Sequence, residues 1–362
     1  MKICYLGSAG SYHTDKWCKF FRERGHDVHL ISYTKGDCQY ATVHLIGTSM
    51  NDRYDSDAKK LNYLTHGREL RKLLKKISPD IIHAHRIPSY GGACVLGNIY
   101  PYFLSVWGGD VYDFPHKTFL HMWLTKLALN KAAVLMSTSK AMATEIKKYT
   151  NKDIYITPFG VDMTLFNPNK KTRNDSEKFI IGNIKSLEKK YGIKYILEAC
   201  SIILNERKDI PIEVRIAGRG SEEAALKEYS AGLGIENQVK WLGFISQQEA
   251  AIEWSNMDVA VIPSESESES FGVSAVEAQA CQIPVVISDI QGLMEATAPG
   301  KSSMVIPRRN SRALADAVID FYDHPEKREE FGEYGLNFVK DHYEINKCFE
   351  AVEQYYYDFL KK

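Results

Sequence analysis

Residues 259–288 read VAVIPSESESESFGVSAVEAQACQIPVVIS, and this stretch decides the fold. Val259–Ile262 and Pro284–Ile287 are short apolar runs rich in β-branched residues, so both are predicted strands. A serine- and glutamate-rich loop follows the first run and leads into a helix that starts near Val273 and Ser274. A strand, a crossover helix and a second strand form the unit from which parallel sheets are built.

The same alternation of short apolar runs and amphipathic stretches extends over the rest of the chain. Further strands are predicted at Ile3–Leu6, Val28–Ser32, Val43–Ile46, Asp80–His83, Phe103–Val106, Val134–Ser137, Ile154–Thr157, Phe179–Gly182, Val214–Ala217 and Met304–Ile306. Turn formers and charges interrupt the pattern over residues 158–178, and the chain is helical from Ser311 onward. The 362 residues therefore predict an α/β protein with a domain over residues 1–165, a second over 175–343, and a terminal helix over 344–362 that returns to the first.

Composition places the chain among ordinary globular proteins and excludes disordered and collagen-like classes. Its seven cysteines are scattered, odd in number and never spaced as C-x-x-C, which indicates neither a disulfide framework nor a zinc knuckle. The apolar run at the amino terminus is too short for a signal peptide, and no stretch of about 18 apolar residues is present. We expect a cytoplasmic protein, with association at the inner face of the membrane left open.

Charge is unevenly distributed although the chain is neutral overall. Residues 1–160 contain 22 Lys and Arg against 13 Asp and Glu, a net charge of +9, and the remainder carries −9. A basic half attracts anionic lipid, an anionic acceptor or nucleic acid, and ordinary surface asymmetry is the alternative. The basic amphipathic segment RELRKLLKKISP, residues 68–79, is either a membrane-surface helix or a helix that covers the sheet with its apolar stripe.

The junction between the loop and the helix near Val273 has the features of an anion site. Gly272 permits close backbone approach, and unpaired N–H groups with the positive end of the helix dipole suit a phosphate or diphosphate. Glu269 at the loop tip and Glu277 inside the helix are placed to hydrogen-bond hydroxyl groups on two sides of such an anion. The alternative is a solvated acidic loop, since Glu265 is chemically alike, and a helix-face charge for Glu277.

The pattern E-(x7)-E, with Phe-Gly after the first Glu and then EA, AC and PVV, resembles retaining glycosyltransferase family 4. Further segments similar to that family are GSAGSYH, RGHDVHLIS, WGGD, STSKAMATE, PFGVDMTLFNP, IGNIKSLEKKYGI, RIAGRG and VKWLGFIS. Together they cover nearly the whole chain in the family's order. The resemblance implies a GT-B fold, in which two Rossmann-like domains face each other across a cleft.

By this resemblance, the second domain binds a nucleotide diphosphate sugar. Glu277 would bind the ribose hydroxyls, and Glu269 would bind hydroxyls of the transferred sugar. The N–H groups of Phe271, Gly272 and Val273 would lie beside the sugar and the diphosphate. The segment that contains Gly218 and Arg219 would contact the donor, chiefly at its base.

Growing negative charge on a leaving diphosphate requires fixed cations or a metal. In GNIKSLEKKYG, Lys185 and Lys190 match the family's Arg and Lys, with Lys in the usual place of Arg at 185. An extra residue precedes Gly192, so Lys189 is an alternative to Lys190. A basic loop at a helix start is the plain structural interpretation.

The first half offers further candidates by the same resemblance. Gly10 and Ser11 would contact the donor phosphates, and His13 would lie on the acceptor side; a strand-to-helix turn is the alternative. Trp107 stands where the family more often has His, and it is suited to stacking on a sugar but not to acid–base work. Asp110 is a candidate polar contact to the donor, and either residue is alternatively structural.

We find no Asp-x-Asp pair at a strand end. His83 and His85 resemble a metal pair, but they are interpreted as residues that pack beside the cleft or line the acceptor pocket. The resemblance implies a metal-independent, retaining transferase with no cofactor. Its co-substrate would be a nucleotide diphosphate sugar, a UDP-sugar by family frequency, and its acceptor a glycan, a lipid-linked or a small molecule. A sugar-nucleotide epimerase, a phosphorylase and a non-catalytic nucleotide-sugar-binding protein are the alternatives, and no aromatic-basic motif supports nucleic-acid binding.

Overall fold

The computed structural model of the chain describes residues 1–50, 66–173 and 178–361. The chain divides into two compact units, one formed by Met1–Phe159 with Asn346–Lys362 and the other by Gly160–Ile345. Residue 175, the predicted start of the second domain, and Lys362, the end of the predicted terminal helix, lie outside the described residues.

The first unit is built on a parallel sheet of seven described strands. They are β1 (Lys2–Leu6), β2 (Asp27–Thr34), β3 (Thr42–Met50), β4 (Ile81–His85), β5 (Phe103–Val106), β6 (Val134–Ser137) and β7 (Ile154–Ile156). Their order across the sheet is β3-β2-β1-β4-β5-β6-β7, with Ile3 of β1 paired to Val28 on one side and Ile81 on the other. The order reverses between β1 and β4, and such a switch point is where open α/β sheets bind ligands.

The second unit repeats this topology with six described strands. They are β8 (Phe179–Ile184), β9 (Ile212–Ala217), β10 (Val239–Gly243), β11 (Val259–Ile262), β12 (Val285–Ser288) and β13 (Ser303–Ile306). The order is β10-β9-β8-β11-β12-β13, and every pair is parallel. This is the Rossmann order, and its switch point lies between β8 and β11.

Helices cover both sheets, as the alternating pattern predicts. The described α-helices are α1 (Tyr12–Glu23), α2 (Gly67–Ile77), α3 (Gly92–Leu96), α4 (Gly109–Tyr112), α5 (Phe119–Lys131), α6 (Lys140–Ile146), α7 (Ile193–Glu206), α8 (Glu223–Gly232), α9 (Gln247–Ser255), α10 (Val273–Ala280), α11 (Gln291–Ala296), α12 (Ser311–Asp323), α13 (Pro325–His342) and α14 (Ile345–Leu360). Each unit has its own apolar cluster, and α7 buries Ile196, Leu197 and Cys200 in the second, as its helical spacing predicts.

The predicted strands are confirmed within two residues at each end, except that β3 extends four residues beyond the predicted end at Ile46. β10 was not predicted, because no apolar run marks it in the sequence. Val239 alone of its five residues is buried, because β10 is the edge strand of its sheet. A half-exposed edge strand lacks the continuous apolar run by which a buried parallel strand is identified.

The terminal helix α14 packs on the first unit through apolar and charged contacts. Phe349 lies against Trp17 with ring centroids 4.9 Å apart. The buried Glu353 carboxylate accepts from Arg24 at 2.9 Å and lies 2.6 Å from the ring of His26. Burial raises the pKa of Glu353, but Arg24 and His26 lower it by more than burial raises it. The net pKa is therefore below the usual value.

We expect Glu353→Gln to lower the free energy of unfolding by about 1–3 kcal/mol at pH 7, because a charged hydrogen-bond acceptor is lost from a buried cluster. A carboxyl group with a lowered folded-state pKa stabilises the fold above its unfolded pKa of about 4.3. That contribution disappears as pH falls through the folded pKa. Melting temperatures should therefore differ between wild type and variant at pH 7 and converge in acid. The exposed Glu350, which pairs with Arg24, provides the control Glu350→Gln, and equal effects of the two changes would contradict the prediction.

The basic helix α2 turns its apolar stripe toward the core. Leu70, Leu74 and Ile77 are buried, and Leu73 packs against the same cluster. The interpretation as a sheet-covering helix is confirmed, and the cationic side chains of α2 lie on its outer face. Within the described residues, no helix combines the length and the apolar character needed to cross a bilayer.

Candidate functional site

The switch point of the second unit brings two polar loops together. The loop after β8 contains Lys185 and Lys190, and the loop after β11 contains Glu269. Because β8 and β11 are adjacent parallel strands, both loops leave the same edge of the sheet. The backbone N–H of Glu265 donates to the carbonyl of Lys190 at 2.8 Å, which fixes one loop against the other.

The second loop ends at the start of helix α10. Gly272 has φ of 73°, the left-handed region, and a Cβ there would lie 2.6 Å from the Leu293 side chain. The positive φ favours glycine at this position, and a larger residue would also displace the Leu293 side chain. The Ser274 hydroxyl donates to the carbonyl of Ile184 at 2.8 Å and ties the first turn of α10 to the end of β8. The N–H groups that open α10 are thereby held at the switch point.

Lys185 and Glu269 form a buried ion pair beside this helix start. Lys185 Nζ lies 2.6 Å from Glu269 Oε2, with side-chain exposures of 13% and 8%. The other oxygen, Glu269 Oε1, accepts from the N–H of Gly272 at 3.1 Å. A carboxylate, an ammonium group and the first amides of a helix thus lie in one place.

The three glutamates of the SESESES segment have different partners. Glu265 pairs with Arg309 at 2.8 Å, and Glu267 pairs with Arg308 at 2.9 Å. Of the three, Glu269 is the one that pairs with a cation of the β8 loop. The solvated-loop alternative therefore fits Glu269 poorly, because its carboxylate is buried.

The ring of Tyr191 lies near the ammonium groups of both predicted lysines. The ammonium groups of Lys185 and Lys190 lie 4.8 Å and 5.1 Å from the centre of the Tyr191 ring, within the range of cation–π attraction. Lys189 instead lines a cavity of about 280 Å³ together with Gly192 and other residues. Lys190 thus shares Tyr191 with Lys185, and the choice between Lys189 and Lys190 stays a prediction. Sequence reasoning missed Tyr191, because an aromatic residue beside lysines carries no spacing signal.

Electrostatics keep the Lys185 ammonium charged. Burial by itself lowers the pKa of Lys185, whereas Glu269 and Tyr191 raise it more, and the net pKa lies above the ordinary value. Glu277, a buried carboxylate on α10, contributes to the pKa of Lys185 with the same sign. Glu277 is therefore near enough to Lys185 for their charges to interact.

The loop after β9 packs directly on the loop after β8, which contains Lys185. A Cβ on Gly218 would lie 1.9 Å from the carbonyl oxygen of Lys185, and the N–H of Leu187 donates to the carbonyl of Arg219 at 3.0 Å. The N–H of Gly218 donates to Gly243 at the end of β10. The predicted donor contacts Gly218 and Arg219 thus adjoin the backbone of the loop that contains Lys185.

In the first unit, the predicted residues lie around the ends of β1 and β5. Gly10 has φ of 74°, and Ser11 is the residue before α1. His13 stacks on Phe159 with ring centroids 4.4 Å apart and meets Trp107 edge-on at 5.9 Å. His13 and Trp107 are partly exposed, whereas Phe159, which contacts both rings and was not predicted, is buried.

Asp110 has an evident structural task. Its carboxylate is fully buried, and it accepts from the N–H of Ile87 at 3.0 Å and of Trp107 at 3.1 Å. Burial raises the pKa of Asp110, Arg86 lowers it, and the net pKa is above the usual value. The carboxylate holds the Trp107 loop against the segment after β4, and its role as a donor contact stays a prediction.

His83 and His85 are buried packing residues. His83 hydrogen-bonds Tyr356 of α14 and, at 2.8 Å, Ser105. Burial lowers the pKa of His85 to about 3. Among the residues that the structure describes, no three His, Cys, Asp or Glu side chains are grouped to hold a metal ion.

Comparison with known families assigns the chain. Residues 167–338 match the family described as glycosyl transferases group 1, and residues 2–139 match the family described as glycosyl transferase 4-like. The chain therefore contains a group 1 glycosyltransferase domain and a glycosyl transferase 4-like domain. These two matches confirm the resemblance seen in the sequence motifs.

Similar proteins include a D-inositol 3-phosphate glycosyltransferase of Paenarthrobacter aurescens, 30% identical over 212 residues. That alignment covers 56% of this chain and 52% of the relative, so the chain spans about half the length of the curated relatives it matches. A sucrose-phosphate synthase from Thermosynechococcus elongatus has a TM-score of 0.85 at 16% identity, with all of both chains covered. Anabaena Alr3699/HepE in complex with UDP has a TM-score of 0.78 at 18% identity, covering 98% of this chain and 99% of that one. At these identities the likeness concerns the fold, which is GT-B.

Proposed function

We propose that this group 1 glycosyltransferase moves a sugar from a nucleotide diphosphate sugar, a UDP-sugar in our proposal, to an acceptor hydroxyl with retention of anomeric configuration. The acceptor is a glycan, a lipid-linked molecule or a small molecule. The observation that carries the proposal is the buried Lys185–Glu269 ion pair at the opening of α10. A sugar diphosphate requires a cation for its phosphates and a hydrogen-bond acceptor for its sugar hydroxyls, and this pair places both at one edge of the sheet.

Lys185, Lys190 and the helix start bind the diphosphate in this proposal. The leaving group gains negative charge as the bond between the sugar and the phosphate oxygen breaks, and preorganised cations stabilise that charge. Two ammonium groups around Tyr191 and the N–H groups of α10 supply the positive potential. The transferase then works without a metal ion, and turnover should be retained in the presence of a chelator.

The two carboxylates bind hydroxyl groups. We assign Glu269 to the transferred sugar and Glu277 to the ribose, with the N–H groups of Phe271, Gly272 and Val273 beside the diphosphate. The Phe271 side chain packs edge-on against Tyr343 at 5.1 Å, so its contribution is the amide alone.

Retention follows from attack on the face that the leaving group occupies. The acceptor oxygen forms the new bond to the anomeric carbon as the bond to the phosphate oxygen breaks, and the acceptor proton passes to an oxygen of the departing diphosphate. The chain supplies positioning and charge, and no protein nucleophile is required. Gly10 and Ser11 are assigned to the donor, and His13 and Trp107 to the acceptor.

UDP as the nucleotide is supported by the fold shared with Alr3699/HepE, whose structure contains UDP. The direct test screens UDP-, GDP- and ADP-sugars by thermal shift and then follows nucleotide release with candidate acceptors. Release only when an acceptor is present, with the product anomer matching the donor by NMR, supports the proposal. Interconversion of the sugar nucleotide without an acceptor would indicate an epimerase, and binding without turnover a non-catalytic binding protein; both contradict it.

Glu277→Ala is expected to raise the donor dissociation constant about 10- to 100-fold, because a hydrogen bond to a charged group contributes about 1.5–3 kcal/mol. The measurement is calorimetric titration with UDP. The matched control is Glu223→Ala, a helix glutamate of the same unit that pairs with Lys227. Unchanged UDP affinity in Glu277→Ala would remove Glu277 from the nucleotide site.

A further inference from the structure

Helix α5 exposes its largest apolar side chains at its first two turns. Phe119, Leu120 and Trp123 have exposures of 81%, 71% and 47%. We call these three residues the apolar patch. Trp123 follows Phe119 by four residues and Leu120 by three, so it neighbours both on the helix surface.

The patch is not a by-product of packing α5 on the sheet. The opposite side of the helix buries Leu124, Ala128 and Leu129, and these residues already attach it to the core. Further along the outer side the chain uses Lys126 and Asn130, which are exposed and polar. A contiguous exposed group of two aromatic residues and a leucine is the usual mark of a docking surface.

Cationic residues lie in the same helical layer. The short helix α3 packs against both α2 and α5, and all three contribute to one apolar cluster. Arg71 of α2 donates to the carbonyl of Gly97 at the end of α3 at 2.7 Å. The exposed basic residues of α2 are Arg68, Arg71, Lys72, Lys75 and Lys76. Basic α2 and apolar α5 thus flank α3, whose Leu96 is itself exposed.

We propose that the apolar patch inserts into the interfacial region of an anionic lipid bilayer while the basic face of α2 contacts the headgroups. Tryptophan and phenylalanine partition into the boundary between headgroups and acyl chains, and lysines near an anionic surface add electrostatic attraction. Charge complementarity selects a bilayer as the partner, because residues 1–160 carry a net charge of +9. This proposal is independent of the donor site and of the reaction.

The apolar patch and the basic helix α2 together determine how the protein should bind vesicles. Stable attachment to a bilayer usually needs two signals, and here an apolar insertion and a basic helix supply them. Removing Phe119 and Leu120 should therefore weaken vesicle binding at least about tenfold, since each buried apolar side chain contributes more than a factor of ten. Removing positive charge from α2 should weaken binding to anionic vesicles and leave binding to neutral vesicles unchanged.

The test is flotation of the full chain with vesicles of phosphatidylcholine alone or mixed with phosphatidylglycerol. We expect wild type to bind the mixed vesicles and to lose binding in high salt, and Phe119→Ser/Leu120→Ser to bind them at least about tenfold more weakly. The matched control is Tyr229→Ser/Ile252→Ser, which removes two exposed apolar side chains from the second unit. Lys72→Gln/Lys75→Gln should reduce binding to the anionic vesicles.

A second measurement locates the inserted residue. Brominated lipids should quench the fluorescence of wild type, and Trp123→Phe should lose most of that quenching while still binding. Absence of wild-type binding to anionic vesicles, or equal binding by the Phe119→Ser/Leu120→Ser variant, would overturn the proposal. Conversion of a dimer to a monomer by this double change, with vesicle binding unaltered, would instead identify a contact between copies of the chain and would overturn it as well.

Discussion

Replacing Lys185 by alanine is expected to lower kcat/KM about 10²- to 10³-fold, the effect of removing one preorganised donor from a developing negative charge. The Lys185 ammonium lies 2.6 Å from Glu269 and 4.8 Å from the Tyr191 ring centre, and its pKa is raised. It is therefore cationic and fixed before any substrate arrives. A fixed cation stabilises the departing diphosphate without reorganisation in the transition state.

The loss of kcat/KM is measured from initial rates with the donor that the thermal-shift screen identifies. Thermal unfolding measures how much stability the same change removes. Loss of the ammonium also leaves the Glu269 carboxylate buried beside no cation, so Lys185→Ala should lower stability by about 3–5 kcal/mol. Lys185→Arg restores the charge and should recover most of the activity, which separates a catalytic loss from a folding defect. Lys189→Ala, on the same loop, is the matched control.

An equal loss in Lys185→Ala and Lys189→Ala would show that charge in the loop, and not the position of Lys185, matters. Full activity of Lys185→Ala would show that the ion pair between Lys185 and Glu269 is not needed for catalysis. A folded Lys185→Arg variant without activity would indicate that the compact ammonium group, and not the charge alone, is needed.

Glu269→Gln is expected to lower kcat about 10²-fold or more, while Glu265→Gln and Glu267→Gln remain within about twofold of wild type. The glutamine keeps the shape of the side chain but loses the charge that holds Lys185. It also exchanges one hydrogen-bond acceptor for a donor, so that hydroxyl groups of the sugar are bound differently. The other two glutamates, Glu265 and Glu267, pair with the exposed side chains of Arg309 and Arg308.

These three variants form a matched set, because each changes the same side chain at alternate positions of one loop. Single-turnover and steady-state rates should be measured for all three, with donor affinity by calorimetry. Similar rates in the whole set would mean that the acidic loop acts only through its overall charge. A selective loss in Glu267→Gln would move the sugar contact to Glu267.

Much of the fold was predictable because hydrophobic periodicity is local. β5, β6 and β11 have the predicted bounds, and α10 begins at Val273 as expected. The edge strand β10 was missed, since only Val239 of its residues is buried. Hydrophobic runs report burial, and an edge strand is only partly buried.

The candidate site was predictable as a set of residue types but not as an arrangement. Glu265, Glu267 and Glu269 are equivalent in the sequence, and the structure separates them by their partners. Tyr191 and Ser274 lie inside the motifs quoted from the sequence, but no role was predicted for either side chain. In the structure Tyr191 lies beside both lysine ammonium groups, and Ser274 anchors the helix start. Their roles depend on contacts that spacing does not encode.

The sequence by itself determined the alternation of strands and helices, the family motifs and the loops that follow the strands, because each depends on residues close together in the chain. The tertiary structure alone decided which carboxylate meets Lys185, that the apolar stripe of α2 packs in the core, and that α5 exposes Phe119 and Leu120. Those outcomes depend on strand order and on contacts such as that between Ser274 and Ile184, 90 residues apart. A local pattern fixes what a segment can bury, whereas packing against distant elements fixes what it buries.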